Sequence, residues 1–574
     1  MKIMKNDLSA LVAGLVMVCG DVLWATQMPS SAASSAGRMD ITADLQSGGD
    51  DFVAGVSATA ANDPLDAVRQ AIARGEKRIS IPADRYFVEP KDGKGDFYLE
   101  LKGLSDAVID FGGADLIGKV RTRFLNMEDC TNVTIKGFSL DFDPLPYTQG
   151  IIRSVDKDGT WDVEIVDGYP DVEATDGGNE PIDAHDPFWP IQVYDGKTHE
   201  LKNPMRFRDG VAVVRTAPGR FRISGGLNRK GDVGDVAVWS VRESRKVANE
   251  CFVTLRTKNC RFEDLTFYST PHGRIIEAFC SSNSYVNCRM VRRPPEKDIR
   301  PRGMPRLRSG NHDFIIAKCG VVGPQILGCT AEYHCDDCVN ISGMYCLVTE
   351  VNGRELRVLK DWFWAAGVDE GDDVQIMFPD GTCPPDAKVV SVRPDGAKTA
   401  AETVFAGKLG LWPGTAERLG DALALVLDRE IEGLTPGAII MSENKSCNGF
   451  LVKDCRFGST RARGMLIKAS KGRVEGCEVD RPVFITTEYE WLSGGCSSDL
   501  EFTGNRFMSY VNIGGTVCRT VKATGLPATA HRNLVFRDNY IKEGVEAMGC
   551  TGLDLRGNRI DGPVTTRNCK DVFK

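Results

Sequence analysis

One short phrase returns nine times along the chain and limits its fold more than any other feature. Each copy is an alternating apolar strand, a turn holding Asn, Gly or Cys, and a second short strand. The copies are TNVTIKGFSLD (131–141), KNCRFEDLTFYS (258–269), SYVNCRMV (284–291), QILGCTAEY (325–333), GFLVKDCRFGS (449–459), GRVEGCEVD (472–480), DLEFTGNRFMS (499–509), NLVFRDNYIKE (533–543) and GLDLRGNRIDG (552–562). Alternation with a period of two marks strands, and no segment between the copies has helical periodicity. A strand–turn–strand unit cannot bury its apolar face alone, so repeated units stack on one another. The expected fold is all-β, a right-handed parallel β-helix. Cys260, Cys288, Cys329, Cys455 and Cys477 hold the turn slot that Asn505, Asn539 and Asn558 hold later. A buried thiol packs as a small apolar group, so a cysteine column is favoured over disulfides. An asparagine in that slot can hydrogen-bond along the stack.

Two regions break the rhythm. Tyr147 to Val247 and Cys346 to Ala438 contain strands separated by charged turns, and read as small antiparallel β-barrel-like modules inserted between coils. Upstream, Asp63 to Val88 carries a short amphipathic helix followed by strands, which suits a cap over the open end of a β-solenoid. Lys2, Lys5 and the apolar run Leu8 to Cys19 read as a secretion signal, because a run of 12 residues is short for a membrane span. The expected order is a signal peptide and leader (1–36), cap and first coils (37–146), inserted module (147–247), and coils carrying the candidate site (248–345). A second module (346–438) and closing coils (439–574) complete it. The protein is expected to be exported, to the periplasm or beyond. Val18 is bulky for a lipoprotein site at Cys19, so anchoring there is not expected. A net charge of −8 excludes the broad basic face of a nucleic-acid binder.

Chemistry concentrates between Arg306 and Gly343. Asp313 precedes the Asp336-Asp337 doublet by 23 residues, a spacing that suits one coil. Neighbouring coils stack about 4.8 Å apart, so the three carboxyls would crowd on one face and at least one pKa would rise. Hydrolysis of a glycosidic bond needs such a division of labour, with one protonated carboxyl and one ionised. In a regular strand Asp336 and Asp337 would point to opposite faces, so both can line a cleft only if the chain bends there; otherwise one is structural. His312, His334, Asn340 and Arg306 are expected to border the substrate. Glu488, Glu490 and Trp491 supply acids and an aromatic face on a later coil. His312/Asp313 and His334/Asp336 could pair on a metal, but no H-x-H or H-E-x-x-H spacing supports one, so neither metal nor cofactor is expected. Trp362 and Trp364 read as core of the second module.

The ordered set DFDPLPYTQG (141–150), RLRSGNHD (306–313), HCDDCVNISGMY (334–345) and EYEWLSGG (488–495) resembles glycoside hydrolase family 110, exo-acting α-1,3-galactosidases of β-helix fold with two inserted β-modules. The resemblance implies an inverting, metal-independent enzyme that removes terminal α-1,3-linked galactose from a glycan. It assigns Asp313 as the general acid and Asp336 and Asp337 as the base pair. Asn311-His312-Asp313 and Asp336-Asp337-Cys338-Val339 also echo the N-T-D and D-D-C motifs of polygalacturonases, without the G-H-G of that family and with only a loose R-I-K echo at Arg463 to Lys468. A non-catalytic glycan-binding β-helix is the reading from another class. A homodimer is compatible with the sequence.

Overall fold

The computed structural model describes residues 63–91, 97–171, 191–202, 212–224, 231–240, 251–271, 275–361, 367–521, 525–527 and 530–574. The leader, including Cys19, and Trp362 and Trp364 lie outside them.

The repeats wind into a parallel β-helix with three strand tracks. Ile315–Lys318 forms one rung of the first track, and the chain then turns into Gln325–Leu327 and Thr330–Glu332 on the other two. The next rung begins at Val339–Met344, and the ones after it at Met465–Lys468 and Val483–Glu488. Pairing along the track is parallel and in register, with Ile315 beside Val339, Val339 beside Met465, and Met465 beside Val483. Alternate side chains (Ile315, Ala317, Val339, Ile341, Met465, Ile467) fill the core, while Ile316, Asn340 and Leu466 face outward. In the first coils one long strand covers both remaining tracks, as in Ser105–Gly118 and Thr131–Phe142. Gly112 makes the bend: its φ is +58°, and a Cβ there would lie 2.6 Å from the Ile81 carbonyl oxygen.

The turn column holds from Cys288 onward. Arg289, Thr330, Arg456, Glu478, Arg506, Tyr540 and Arg559 share one register, so Cys288, Cys329, Cys455, Cys477, Asn505, Asn539 and Asn558 stack just before them. The Asn539 Nδ2 donates to the Asn558 Oδ1 at 2.8 Å and that of Asn505 to the Asn539 Oδ1 at 2.9 Å. Cys260 leaves this column. Its copy runs as a single strand, Arg261–Phe267, and Cys260 pairs instead with Asn283, whose Oδ1 accepts from the Cys260 backbone N–H at 3.0 Å. The described cysteines are free thiols.

The helix Pro64–Ala73 precedes the first strands, and the Asp63 carboxylate accepts from the Leu65 N–H at 2.8 Å. Within the first insert, strands from Tyr147–Val155 to Val236–Ser240 form a six-stranded antiparallel sheet around Trp161, Phe221 and Trp239. Arg308 fastens this sheet to the coils by donating to Gln192 Oε1 (2.7 Å), to the Val238 carbonyl (2.9 Å) and to Asn311 Oδ1 (3.0 Å). The second insert closes into a barrel of six strands, Cys346–Asn352 through Ile439–Ser442. It also carries two helices, Ala400–Lys408 and Pro413–Arg418, that alternation of apolar residues did not announce. The signal for the first is Thr399-x-x-Glu402, a reciprocal capping box.

Candidate functional site

The site lies where the turns enter the first track. Because Ile315, Val339 and Met465 are in register, the residues two places earlier (Asp313, Asp337 and Arg463) fall in one column, and His312 stands beside Asp336. The spacing read from sequence is one coil: the Phe314 N–H donates to the Asp337 carbonyl at 3.2 Å.

The doublet divides as its opposite directions require. Asp337 turns inward, with its side chain 2 % exposed, and Arg463 takes both of its oxygens. The Arg463 backbone N–H and Nε reach Oδ1 at 3.0 and 2.8 Å, and Nη2 reaches Oδ2 at 3.0 Å. Burial pushes the Asp337 carboxyl up to about 6; Arg463 opposes that shift, and Asp336 and Asp313 add to it. Asp336 stays open, with 15 % of its side chain exposed. Its Oδ2 lies 3.5 Å from His312 Nδ1, and its Oδ1 accepts from Arg461 Nη2 at 3.2 Å. Asp313, with a side chain 4 % exposed, places Oδ2 2.5 Å from the same His312 nitrogen. One imidazole nitrogen thus stands between the carboxyls of two successive coils.

One ligand atom from each of His312, Asp313 and Asp336 lies within 4.8 Å of the others, which a cation could bridge. The His312–Asp313 contact of 2.5 Å is a hydrogen-bond length. Two ligands about 2.0–2.1 Å from a tetrahedral ion sit roughly 3.3 Å apart. The His312 and Asp313 atoms are thus closer together than two ligands of one tetrahedral ion would be.

His334 does not join this cluster. It is fully buried; its Nδ1 donates to the His312 carbonyl at 3.0 Å and its Nε2 accepts from the Cys338 thiol at 3.3 Å. Its role is to hold one coil on the next, a correction to the substrate-binding expectation. Burial pushes its pKa down to about 4, and that of His531 equally. A depressed histidine stabilises the fold above its unfolded value of 6.5, and that stability is lost as the pH falls toward 4. NMR titration of labelled imidazoles should accordingly find both rings neutral at pH 5.5.

Arg306 is also structural. Its guanidinium is buried and spent on two carboxylates, donating to both Asp141 oxygens at 2.9 Å and to Asp298 Oδ2 at 2.8 Å. Its burial and these ion pairs make it a tie between Asp141 and Asp298. Asn340 lies on the outer face of the track beside Ile316 and Leu466, and its Oδ1 has no partner in the described protein. The Oδ1 atom is itself enclosed by the protein.

The later coil contributes a cationic row. Glu488 accepts from Arg463 Nη1 at 3.1 Å and from Lys468 Nζ at 2.5 Å. Although burial works the other way, Lys468 and Arg463 hold its carboxyl down to about 2. Lys468 and Lys318 converge on Ser493 Oγ at 2.7 and 3.1 Å. Burial and the neighbouring Lys468 push the Lys318 amine down to about 7. Gly494 follows, where a Cβ would lie 1.7 Å from the Tyr345 ring. Trp491 stacks on Trp412 of the barrel insert, centroids 4.8 Å apart, and Glu490 lies 3.6 Å from Arg519 with its Oε2 buried and unpartnered. Glu488 is thus an ion-pair bridge, while Glu490 and Trp491 meet the barrel insert. Arg461, Arg463, Lys468 and Lys318 were not among the residues expected at the site; the loose R-I-K echo was a trace of two of them, Arg463 and Lys468.

No protein-family model matches the chain, and no curated protein matches it. Among solved structures it is similar to the A-module of a mannuronan C-5 epimerase from Azotobacter vinelandii, at 10 % identity and TM-score 0.29, over 89 % of this chain and 94 % of that one. It is similar to a family 28 exopolygalacturonase of Yersinia enterocolitica, at 10 % identity and TM-score 0.31, over 88 % and 74 %. A tailspike protein of Pseudomonas phage LKA1 follows at 7 % identity and TM-score 0.26, over 88 % and 72 %. The parallel β-helix itself rests on the strand pairing of this chain.

Proposed function

We propose that the protein is a glycoside hydrolase in which Asp313 acts as general acid and Asp336 as general base. The observation that carries this reading is the placement of these two carboxyls on successive coils, with His312 Nδ1 between them. Asp337 then serves as the anchor that orients Arg463 beside the reacting bond, in place of the second base that the family 110 resemblance implies. That resemblance supports a terminal α-1,3-linked galactose as the group released, with Asn340, Glu490 and Trp491 as contacts to the glycan. It also implies inversion, with Asp336 activating water.

A second reading has its own observation. Arg463, whose side chain stays 27 % exposed beside the carboxylates while Arg461, Lys468 and Lys318 are buried around it, suits an acidic polysaccharide such as a polyuronate, as in the polygalacturonase alternative.

Proton NMR of galactose-α-1,3-galactose with the protein tests both substrate and stereochemistry. Early β-galactose, lost in Asp313→Asn and Asp336→Asn, is the expected result. α-Galactose appearing first would instead assign Asp336 as a nucleophile. Release of reducing ends from polygalacturonate, with none from the galactoside, would replace the substrate by a uronate. A folded protein inert on both and on sulfated glycans would remove hydrolysis of these classes from the proposal.

A further inference from the structure

We propose that Cys383 and Cys496 are a disulfide-forming pair that fastens the barrel insert to the wall of the candidate site. Their Sγ atoms face each other at 3.3 Å across 113 residues of sequence. The column cysteines Cys329, Cys455 and Cys477 belong to successive coils of the helix and also direct their thiols at carbonyls, those of Tyr285, Ile326 and Val452, at 3.4 to 3.6 Å, whereas Cys383 and Cys496 join the barrel insert to the helix. Cys383 is half-buried and Cys496 is buried, so one thiol of the pair is open to a reagent and the second waits behind it.

The backbone around the pair is already held. Cys383 follows a turn in which the Gly381 N–H donates to the Phe378 carbonyl at 2.9 Å. Gln375 of the barrel strand Asp373–Met377 clamps Cys496 from both sides: its Oε1 accepts from the Cys496 N–H at 2.6 Å, and its Nε2 donates to the Cys496 carbonyl at 3.1 Å. Tyr345 donates to the same Oε1 at 3.1 Å. The distance to close is from 3.3 Å to a bonded length near 2.0 Å.

The oxidant is a small disulfide or a disulfide-carrying oxidoreductase, RS–SR. The Cys383 thiolate attacks it, forming a mixed disulfide and releasing one thiol RSH. The Cys496 thiolate then attacks the Cys383 sulfur and releases the second RSH. Two protein thiols are oxidised, one external disulfide is reduced to two thiols, and two protons pass from the protein cysteines to the released thiols. Cys496 lies three residues beyond Ser493, on which Lys318 and Lys468 converge, and six beyond Glu490. The bond thus ties the barrel to the segment that carries the cationic row and Trp491.

The test is to incubate the full-length protein with oxidised glutathione and map its peptides without reduction. Expected are one linked pair of peptides containing Cys383 and Cys496, a loss of two titratable thiols, and a melting temperature several degrees above that of the reduced protein. Cys383→Ser, at a half-exposed position, should abolish all three changes while folding normally. A stable glutathione adduct on Cys383, both thiols still free after oxidation, or a link from Cys383 to another cysteine would overturn the pairing. Equal melting temperatures for the linked and reduced forms would overturn the fastening.

Discussion

Asp313→Asn is expected to fold as the parent does and to lose about 10²–10⁴-fold in kcat, the range that a positioned proton donor contributes. The amide keeps the shape of the carboxyl and can still face His312, so the loss reports chemistry rather than architecture. Asp336→Asn should lose activity to a similar degree for a different reason, because it removes the group that activates water. The two are separated by the leaving group. An aryl glycoside with an acidic phenol needs little protonation, so Asp313→Asn should recover much of its rate on it, while Asp336→Asn should not. Equal behaviour of the two variants on aryl and natural substrates would sink the division of roles. Circular dichroism and melting curves, unchanged in both, complete the measurement.

Arg463→Met should produce the largest loss of stability near the site, about 3–5 kcal/mol, because it leaves the buried Asp337 without its cation and strips one of two cations from Glu488. The deficit should depend on pH in a defined direction. The Asp337 carboxyl is already pushed up from 3.8 to about 6, and removing Arg463 pushes it further. A carboxyl raised in the folded state binds a proton more readily there than in the unfolded chain. Its favourable contribution is therefore present below the unfolded value of 3.8 and is lost as the pH rises through the folded value. Urea denaturation of the variant should accordingly show a smaller deficit at pH 5 than at pH 7.5. A deficit that grows on acidification would mean that Asp337 is not the group left exposed to the loss.

The architecture was legible because its cause is local. Period-two alternation and a repeated turn are written into each copy, and a coil that stacks in register converts the sequence spacing of Asp313 and Asp337 into adjacency. What the sequence left open was which member of the doublet faces inward. Asp336 and Asp337 look equivalent as letters, yet one stands in the open beside His312 and the other is enclosed by Arg463. The guanidinium that decides this comes from beyond the barrel insert, where ordinary reading finds no reason to associate it with the doublet. His334 and Arg306 were drawn toward the site by proximity in sequence, but both are buried and bonded to groups of the coils themselves. Cys260 shows the same limit on a smaller scale: its phrase matches the others, but a strand left unbroken there shifts it to a different turn.

The register from Val339 to Met465 is kept across the whole barrel insert as faithfully as that from Ile315 to Val339. The helix therefore behaves as a ruler whose graduations are set by backbone hydrogen bonding, indifferent to how much chain leaves and returns between two marks. Reacting groups can be spaced only in whole graduations, while the material hung at the gaps is free to differ in size and surface. Such a protein can exchange the walls that greet a polymer without resetting the distances at which bonds are broken.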